Sequence, residues 1–207
     1  MQQLAFLAAY IVFFVFIHSL TAARFFKEKA YQFIEPCTYR FLYTVVSGVT
    51  VLPILYLWLL GRSDSPLLYR IGFPLVLISF AMIAVGLILI LKSLILIDPL
   101  SYLGVKQVLG MGVGQKNAGL STKGAYGVCR HPLYLGGMLL LWSNPEMRLV
   151  DLLVAILFSL YFILGGVFEE RKLEEEFGDE YRRYKQNVSM MIPVKWFGQK
   201  LKGIIRS

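Results

Sequence analysis

Two short polar clusters in the second half of the chain could bind a ligand that carries both an anion and a cation. Arg130 and His131 stand directly before Pro132, and the adjacent acids Glu169 and Glu170 follow the last long apolar stretch. Proline favours the first position of a helix, where unpaired amide groups and the positive end of the dipole attract anions. Carboxylates that end a long apolar segment are costly unless they face water or a cation. We therefore expect the two clusters to meet around one hollow.

Aromatic residues and glycines flank the first cluster. Tyr126 and Tyr134 offer ring faces for a flat base or a sulfonium. Gly124 and Gly136 permit the close approach of another backbone. Cys129 could have a lowered pKa because a guanidinium follows it, although a small buried side chain is the more ordinary role.

The first half of the chain contributes one unusual ionisable residue. His18 lies within an otherwise apolar stretch, and imidazole titrates in the range useful for a general base. We predict that His18 acts as a base or orients a substrate, and that Arg40 stabilises an anion. The alternative for His18 is a hydrogen bond that joins two helices.

Long apolar segments must position all of these residues. With 57% hydrophobic and 16% charged residues, the chain is too apolar for a surface that faces only water. A helix needs roughly 20 apolar residues to cross a bilayer. The apolar stretches cover residues 4–23, 41–60, 73–97, 133–142 and 149–167. The fourth is short, and we interpret it as one arm, either spanning or re-entrant, of a hairpin that turns at Asn144 and Pro145.

The predicted fold is thus an all-α integral membrane protein with about five transmembrane helices, a C-terminal helical hairpin and a cytosolic helical cap after Val167. We expect a single domain over residues 1–207. Its first part, residues 1–97, contains three helices, and residues 98–207 carry the two polar clusters. The glycine-rich stretch from Gly104 to Gly124 must lie outside the lipid or be covered by protein.

The distribution of cations predicts the orientation. Lysines and arginines concentrate in the first loop, the third loop and the tail, and only Arg62, Arg70 and Arg148 fall in the loops on the other side. Because cytosolic loops are rich in such residues, the N-terminus is expected outside and the C-terminus in the cytosol. The membrane would be a bacterial inner membrane, or the endoplasmic reticulum or nuclear envelope of a eukaryote. Cys37 and Cys129 are then cytosolic free thiols.

The excess of 21 Lys and Arg over 13 Asp and Glu does not predict nucleic-acid binding, because no separate soluble module is left to carry it. Contact with anionic membrane lipids explains the same charge. No metal site is expected, and the sequence favours no particular oligomeric state.

The stretch from Gly124 to Val188 resembles the isoprenylcysteine carboxyl methyltransferase and phospholipid methyltransferase superfamily. The resemblance lies in Gly-x-Tyr-x-x-x-Arg-His-Pro-x-Tyr-x-Gly, a hydrophobic hairpin, then Glu-Glu and Phe-Gly-x-x-Tyr-x-x-Tyr. It implies that S-adenosylmethionine is the cofactor and that six residues bind it: Tyr126, Arg130, His131, Tyr134, Glu169 and Glu170. The cofactor's carboxylate suits the cationic cluster, and its ammonium and ribose hydroxyls suit the acids.

Shorter motifs in the first half resemble the branch that contains methanethiol S-methyltransferases and nurim. They comprise His18-Ser19, Lys27, Tyr39-Arg40, Tyr43, Pro53, Asp98 and residues 103–108. This resemblance implies a small or membrane-partitioned acceptor and favours a thiol, whose reactive form is the thiolate. A prenylated cysteine carboxylate and a lipid headgroup amine remain alternatives.

Two other functions stay open at this point. Membrane reductases that bind a nicotinamide dinucleotide phosphate share a similar Arg-His-Pro turn, but we expect an acid after its last glycine, where this chain has Gly137. The second alternative is a non-catalytic membrane protein similar to nurim. The intact polar clusters argue against it.

Overall fold

The computed structural model describes residues 2–97, 100, 105–109 and 119–205, and these residues are mostly helical. The helices are α1 (Gln2–Ala22), α2 (Arg24–Ala30), α3 (Pro36–Asp64), α4 (Val76–Ile97), α5 (Val105–Val108), α6 (Ala125–Val128), α7 (Pro132–Trp142), α8 (Leu149–Phe177), α9 (Asp179–Asn187) and α10 (Val194–Ile205). Two short strands, β1 (Leu67–Arg70) and β2 (Glu146–Arg148), pair antiparallel. The predicted all-α class is confirmed. The expectations for Asp98 and for most of the stretch from Gly104 to Gly124 fall outside the described residues.

Four helices among the described residues are long and apolar enough to cross a bilayer, namely α1, α3, α4 and α8. The shorter apolar helix α7 has 11 residues. At 1.5 Å per residue it is about 16 Å long, whereas the hydrocarbon core is about 30 Å thick. The protein is an integral membrane protein, and the interpretation of residues 133–142 as a short hairpin arm agrees with this length.

Two helices extend beyond the predicted apolar stretches. Pro36 occupies the first turn of α3, so this helix begins five residues before the predicted segment and continues through Pro53. Helix α8 runs on past Val167 to Phe177, which places Glu169 and Glu170 on a continuous helix. The predicted cap therefore consists of the end of α8 together with α9 and α10.

The described chain forms two compact units. The first comprises residues 2–70, 97, 100, 105–109 and 146–157, and the second comprises residues 71–96, 119–145 and 158–205. Helix α4 thus lies in the second unit, although the sequence groups it with α1 and α3. Each unit contains one of the two groups of residues singled out for chemistry.

In the first unit, α1 packs against α3, and a buried acid ties α3 to the start of α8. Asp151 is 5% exposed. It accepts a hydrogen bond from Nε1 of Trp58 at 2.7 Å and one from the backbone amide of Arg148 at 3.0 Å. Nε of Arg62 lies 3.4 Å from the same carboxylate. A buried carboxylate needs such partners, so this cluster explains why Asp151 is tolerated in an apolar helix.

In the second unit, two glycines set the crossing of α4 and α7. A Cβ atom added to Gly136 would lie 2.8 Å from the carbonyl oxygen of Gly86, and one added to Gly86 would lie 2.9 Å from that of Gly136. The close backbone approach expected at Gly136 is thus made to another helix. Small residues at such crossings let apolar helices pack without a polar contact.

The predicted hairpin of α7 and α8 is present in the second unit. Nε1 of Trp142 donates a hydrogen bond to Oγ of Ser159 at 3.0 Å. Nearer the start of α7, a Cβ atom on Gly137 would lie 3.1 Å from the ring of Phe162. The two helices are therefore antiparallel, and the start of α7 lies against the part of α8 that carries the twin acids.

The two cysteines provide a test of orientation. Cys37, in the first turn of α3, is exposed, whereas Cys129 is buried. We expect a membrane-impermeant maleimide to label the protein from the cytosolic face, through Cys37, because positively charged loops stay on that side. Labelling of sealed right-side-out and inverted vesicles, followed by mass spectrometry, measures this. Cys37→Ser should remove the label and Cys129→Ser should not, and labelling from the outer face alone would reverse the orientation.

Candidate functional site

The Arg-His-Pro segment is held in place by the chain that follows α9. The backbone amide of Arg130 donates to the carbonyl of Ser189 at 2.9 Å, and that of His131 donates to Met190 at 3.0 Å. Gly178 makes this possible, since its φ of 53° lets the chain reverse between α8 and α9. The Phe-Gly pair of the motif is therefore the turn that returns the tail to the start of α7.

The side chain of Arg130 is buried and fully engaged within the protein. Its Nε and Nη2 donate to Oε1 of Glu170 at 2.7 and 2.6 Å. Its Nη1 donates to the carbonyls of Lys185 and Val188 at the end of α9. The arginine and glutamate side chains are 8% and 9% exposed. This pair joins three segments of the second unit, and Arg130 positions Glu170.

His131 lies between the twin acids. Its Nδ1 is 3.5 Å from Oε2 of Glu169, and its Nε2 is 3.3 Å from Oε1 of Glu170. The second approach lacks hydrogen-bond geometry, so Nε2 is a buried ring nitrogen without a hydrogen-bond partner among the described residues. The hydroxyl of Tyr134 donates to Glu169 Oε2 at 3.0 Å. Glu169 is the exposed member of this group, with 48% of its side chain accessible.

Lys185 is a member of the cluster that the sequence did not single out. Its Nζ lies 3.3 Å from Oε2 of Glu170 and 2.5 Å from Oε1 of Glu174. The hydrogen bond to Glu174 holds the pKa of Lys185 above its usual value. The spacing in the motif does not distinguish this lysine from the neighbouring arginines of α9; only the fold brings it to the acids.

The three acids of this cluster differ in their cationic partners. Arg130 and Lys185 both contact Glu170, and Lys185 also contacts Glu174. Glu169 lies beside His131, Lys172 also acts on it electrostatically, and it is the most accessible acid of the three. This arrangement suits a bound ammonium or other cation.

A stack of rings lies beside the acids. The rings of His131 and Tyr134 are nearly parallel at 5.4 Å, and those of Tyr134 and Phe162 follow at 5.5 Å. Such faces can bind a flat base or a positively charged sulfur. Phe162 was not predicted, because one phenylalanine in an apolar span carries no distinguishing signal.

Tyr126 stands at the edge of this region. Its carbonyl accepts a hydrogen bond of 2.6 Å from the hydroxyl of Tyr184, and burial raises the pKa of Tyr184. The nearby Cys129 is completely buried, and burial raises the pKa of its thiol to about 11 despite the adjacent guanidinium. Arg130 does act to lower this pKa, but desolvation outweighs its charge, so the net shift is upward and the alternative of a lowered pKa is wrong. Cys129 is a small packing residue.

His18 lies in the first unit, on the wall of a cavity between α1 and α3. Tyr43 and Ser47 flank its ring: Oη of Tyr43 is 2.7 Å from Nε2, and Oγ of Ser47 is 2.9 Å from Nδ1. Ser47 donates its own proton to the carbonyl of Tyr43 at 2.6 Å. It must therefore accept from Nδ1–H, so Nε2 accepts from the Tyr43 hydroxyl. His18 does join two helices, and a proton can reach its Nε2 by way of Tyr43.

Arg40 is exposed on α3, one residue after Tyr39, which is buried and lines the cavity. Its role as an anion stabiliser stays a prediction. Within the described ranges, no group of three or more histidines, cysteines, aspartates and glutamates is arranged to hold a metal ion.

Comparison with known proteins gives the family. Residues 6–195 match the protein family described as NnrU protein. Methanethiol S-methyltransferase 1 of Bradyrhizobium diazoefficiens is 33% identical to the chain over 183 residues. The alignment covers 85% of this chain but only 62% of the length of that relative. Methanethiol S-methyltransferase of Pseudomonas deceptionensis is 31% identical over 190 residues, which cover 88% of this chain and 70% of the relative.

A shorter match connects the chain to the wider superfamily. Protein-S-isoprenylcysteine O-methyltransferase of Schizosaccharomyces pombe is 35% identical over 82 residues, which cover 36% of this chain and 33% of the relative. No solved structure matches the chain. The chain belongs to the NnrU protein family, within the membrane methyltransferase superfamily that its Arg-His-Pro and Glu-Glu motifs predicted.

Proposed function

We propose that the protein is an integral membrane methyltransferase that uses S-adenosylmethionine and transfers its methyl group to a thiol. The observation that carries the proposal is the accessible carboxylate of Glu169, beside a stack of aromatic rings and within reach of the Arg-His-Pro turn. The names of the relatives supply the reaction type, since two of them are methanethiol S-methyltransferases.

The residues of the second unit fit the chemical groups of this cofactor. Glu169 can accept hydrogen bonds from an ammonium group or from ribose hydroxyls. The stacked rings of His131, Tyr134 and Phe162 offer aromatic surface to the sulfonium or the adenine. The unpartnered Nε2 of His131 is a polar atom that a ligand can satisfy, because an unmet hydrogen bond in a buried site is costly. Arg130 and Lys185 hold the side chain of Glu170 in place behind them.

When bound, S-adenosylmethionine supplies an electrophilic methyl group on a charged sulfur. The protein's own residues have three tasks: to bind the cofactor, to orient the acceptor and to exclude water. A thiol must also lose its proton before it can attack. Tyr43 and His18 form the hydrogen-bonded pair in the first unit that can take up such a proton. Arg40 is the proposed stabiliser of the resulting anion.

Cofactor binding and methyl transfer can be tested separately on the full chain in lipid nanodiscs. We expect isothermal titration to detect S-adenosylmethionine binding, and a labelled methyl group to reach thiols in preference to prenylcysteines and phospholipids. Labelling of a carboxylate or a headgroup amine alone would contradict the thiol assignment. Binding of a reduced nicotinamide without S-adenosylmethionine binding would indicate a reductase, and cofactor binding without any transfer would indicate a sensor.

A further inference from the structure

The cavity beside His18 is large for the smallest thiols. Its volume is about 220 Å³. A buried apolar cavity of about 150 Å³ is enough to hold benzene. A molecule with two heavy atoms, such as methanethiol, would leave most of this space empty, and empty apolar space forfeits dispersion contacts. The volume therefore favours an occupant of benzene size or larger.

The lining of the cavity indicates where the occupant comes from. Phe13, Leu42 and Val46 line it, and all three are also exposed, at 59%, 43% and 54%. They belong to α1 and α3, which are long and apolar enough to cross the bilayer. The cavity thus opens between side chains that hydrocarbon surrounds. An apolar molecule that partitions into lipid can reach it without crossing water.

The hydroxyl groups of the lining limit the polar end of the occupant. Six tyrosine, serine and threonine side chains line the cavity, and each is hydrogen-bonded to a protein acceptor: Tyr10, Thr21, Tyr39, Tyr43, Ser47 and Thr50. The donors are thus committed, while hydroxyl oxygens keep acceptor lone pairs. A carboxylate, which only accepts, fits such a lining poorly. A group with one proton to donate fits it well.

We propose that this cavity binds the methyl acceptor, an apolar thiol of benzene size or larger, whose S–H donates to Oη of Tyr43. The claim that the bound molecule is a methyl acceptor rests on the proposed function. The binding site itself rests only on contacts within the first unit. Tyr43, rather than His18, is then the residue that contacts the thiol. His18 lies behind it and accepts the phenol proton.

Fluorine NMR of 4-fluorobenzyl thiol, which stays protonated near neutral pH, tests the binding step without methyl transfer when it is recorded with the full chain in nanodiscs. We expect Tyr43→Phe to weaken binding about three- to tenfold, as the loss of one hydrogen bond implies. Ile17→Phe, which adds bulk to the cavity wall, should weaken it more. Tyr56→Phe on the same helix should have no effect, because Tyr56 is exposed and lies outside the cavity lining. Melting temperatures of all variants show whether they are folded.

The outcomes separate this inference from the proposed function. In a transfer assay, we expect KM for 4-fluorobenzyl thiol to be at least tenfold lower than KM for methanethiol, and S-adenosylmethionine affinity to be the same in wild type and Tyr43→Phe. If methyl transfer is observed but Tyr43→Phe and Ile17→Phe both bind the thiol as tightly as the wild type, the cavity assignment is wrong and the proposed function stands. Cavity binding without any methyl transfer would refute the proposed function and leave the site standing as a binding site. Methyl transfer to 4-fluorobenzyl alcohol as fast as to 4-fluorobenzyl thiol would refute the preference for a thiol.

Discussion

Glu170→Gln is expected to lower the apparent melting temperature of the protein by about 6 to 12 °C. Glu170 is 9% exposed at its side chain and forms ion pairs with Arg130 and Lys185. Removal of one partner of a buried ion pair costs about 3 kcal/mol or more, because the remaining charge loses its counter-ion. For a chain of this length, each kcal/mol shifts the melting temperature by about 2 to 4 °C. Thermal unfolding in detergent measures the change.

Glu175→Gln is the matched control for this prediction. Glu175 lies on the same helix, five residues further on, and its side chain is exposed. An exposed acid contributes little to stability, so this variant should melt within about 1 °C of the wild type. If Glu170→Gln had the same melting temperature as Glu175→Gln, Glu170 would have no structural role and the pairing described for Arg130 would be wrong.

Glu169→Gln is expected to weaken S-adenosylmethionine binding about 10- to 100-fold while leaving the melting temperature nearly unchanged. Glutamine keeps an oxygen for the hydroxyl of Tyr134 but removes the charge that we assign to the cofactor's ammonium or ribose. A hydrogen bond to a charged group is worth about 1.5 to 3 kcal/mol, and each 1.4 kcal/mol corresponds to a factor of ten in affinity. Isothermal titration with S-adenosylmethionine measures the dissociation constant.

Glu176→Gln serves as the control for cofactor affinity, since Glu176 is an exposed acid near the end of the same helix. Its dissociation constant should equal that of the wild type. An unchanged dissociation constant in Glu169→Gln would remove this residue from the cofactor site. The two adjacent acids are thus expected to differ in effect: Glu170→Gln lowers stability, whereas Glu169→Gln lowers affinity for the cofactor.

The membrane architecture and the two clusters could be predicted from local sequence. Apolar stretches near 20 residues long give α1, α3, α4 and α8, because a helix must hide its backbone polar groups within the bilayer. The helical hairpin was predicted from the short apolar stretch that ends just before Asn144 and Pro145. Pro132 begins α7 as expected, since proline suits the first turn of a helix.

The pairing inside the clusters could not be predicted in the same way. The sequence left Arg130 free to take a ligand's carboxylate, whereas the fold commits its guanidinium to Glu170 and to the end of α9. Lys185 was missed because its contact with Glu170 depends on the turn at Gly178. The close approach of another backbone was expected at Gly136, and only the structure shows that this backbone is that of Gly86.

Local sequence is sufficient to identify the apolar segments and the residue types at their ends, because helix length and the cost of burying charge are local properties. Which of the two adjacent acids is buried and which is accessible depends on the fold. That difference arises from contacts between residues 15 to 40 positions apart, such as Lys185 with Glu170 and Arg130 with Glu170. Periodicity along one segment contains no information about such contacts.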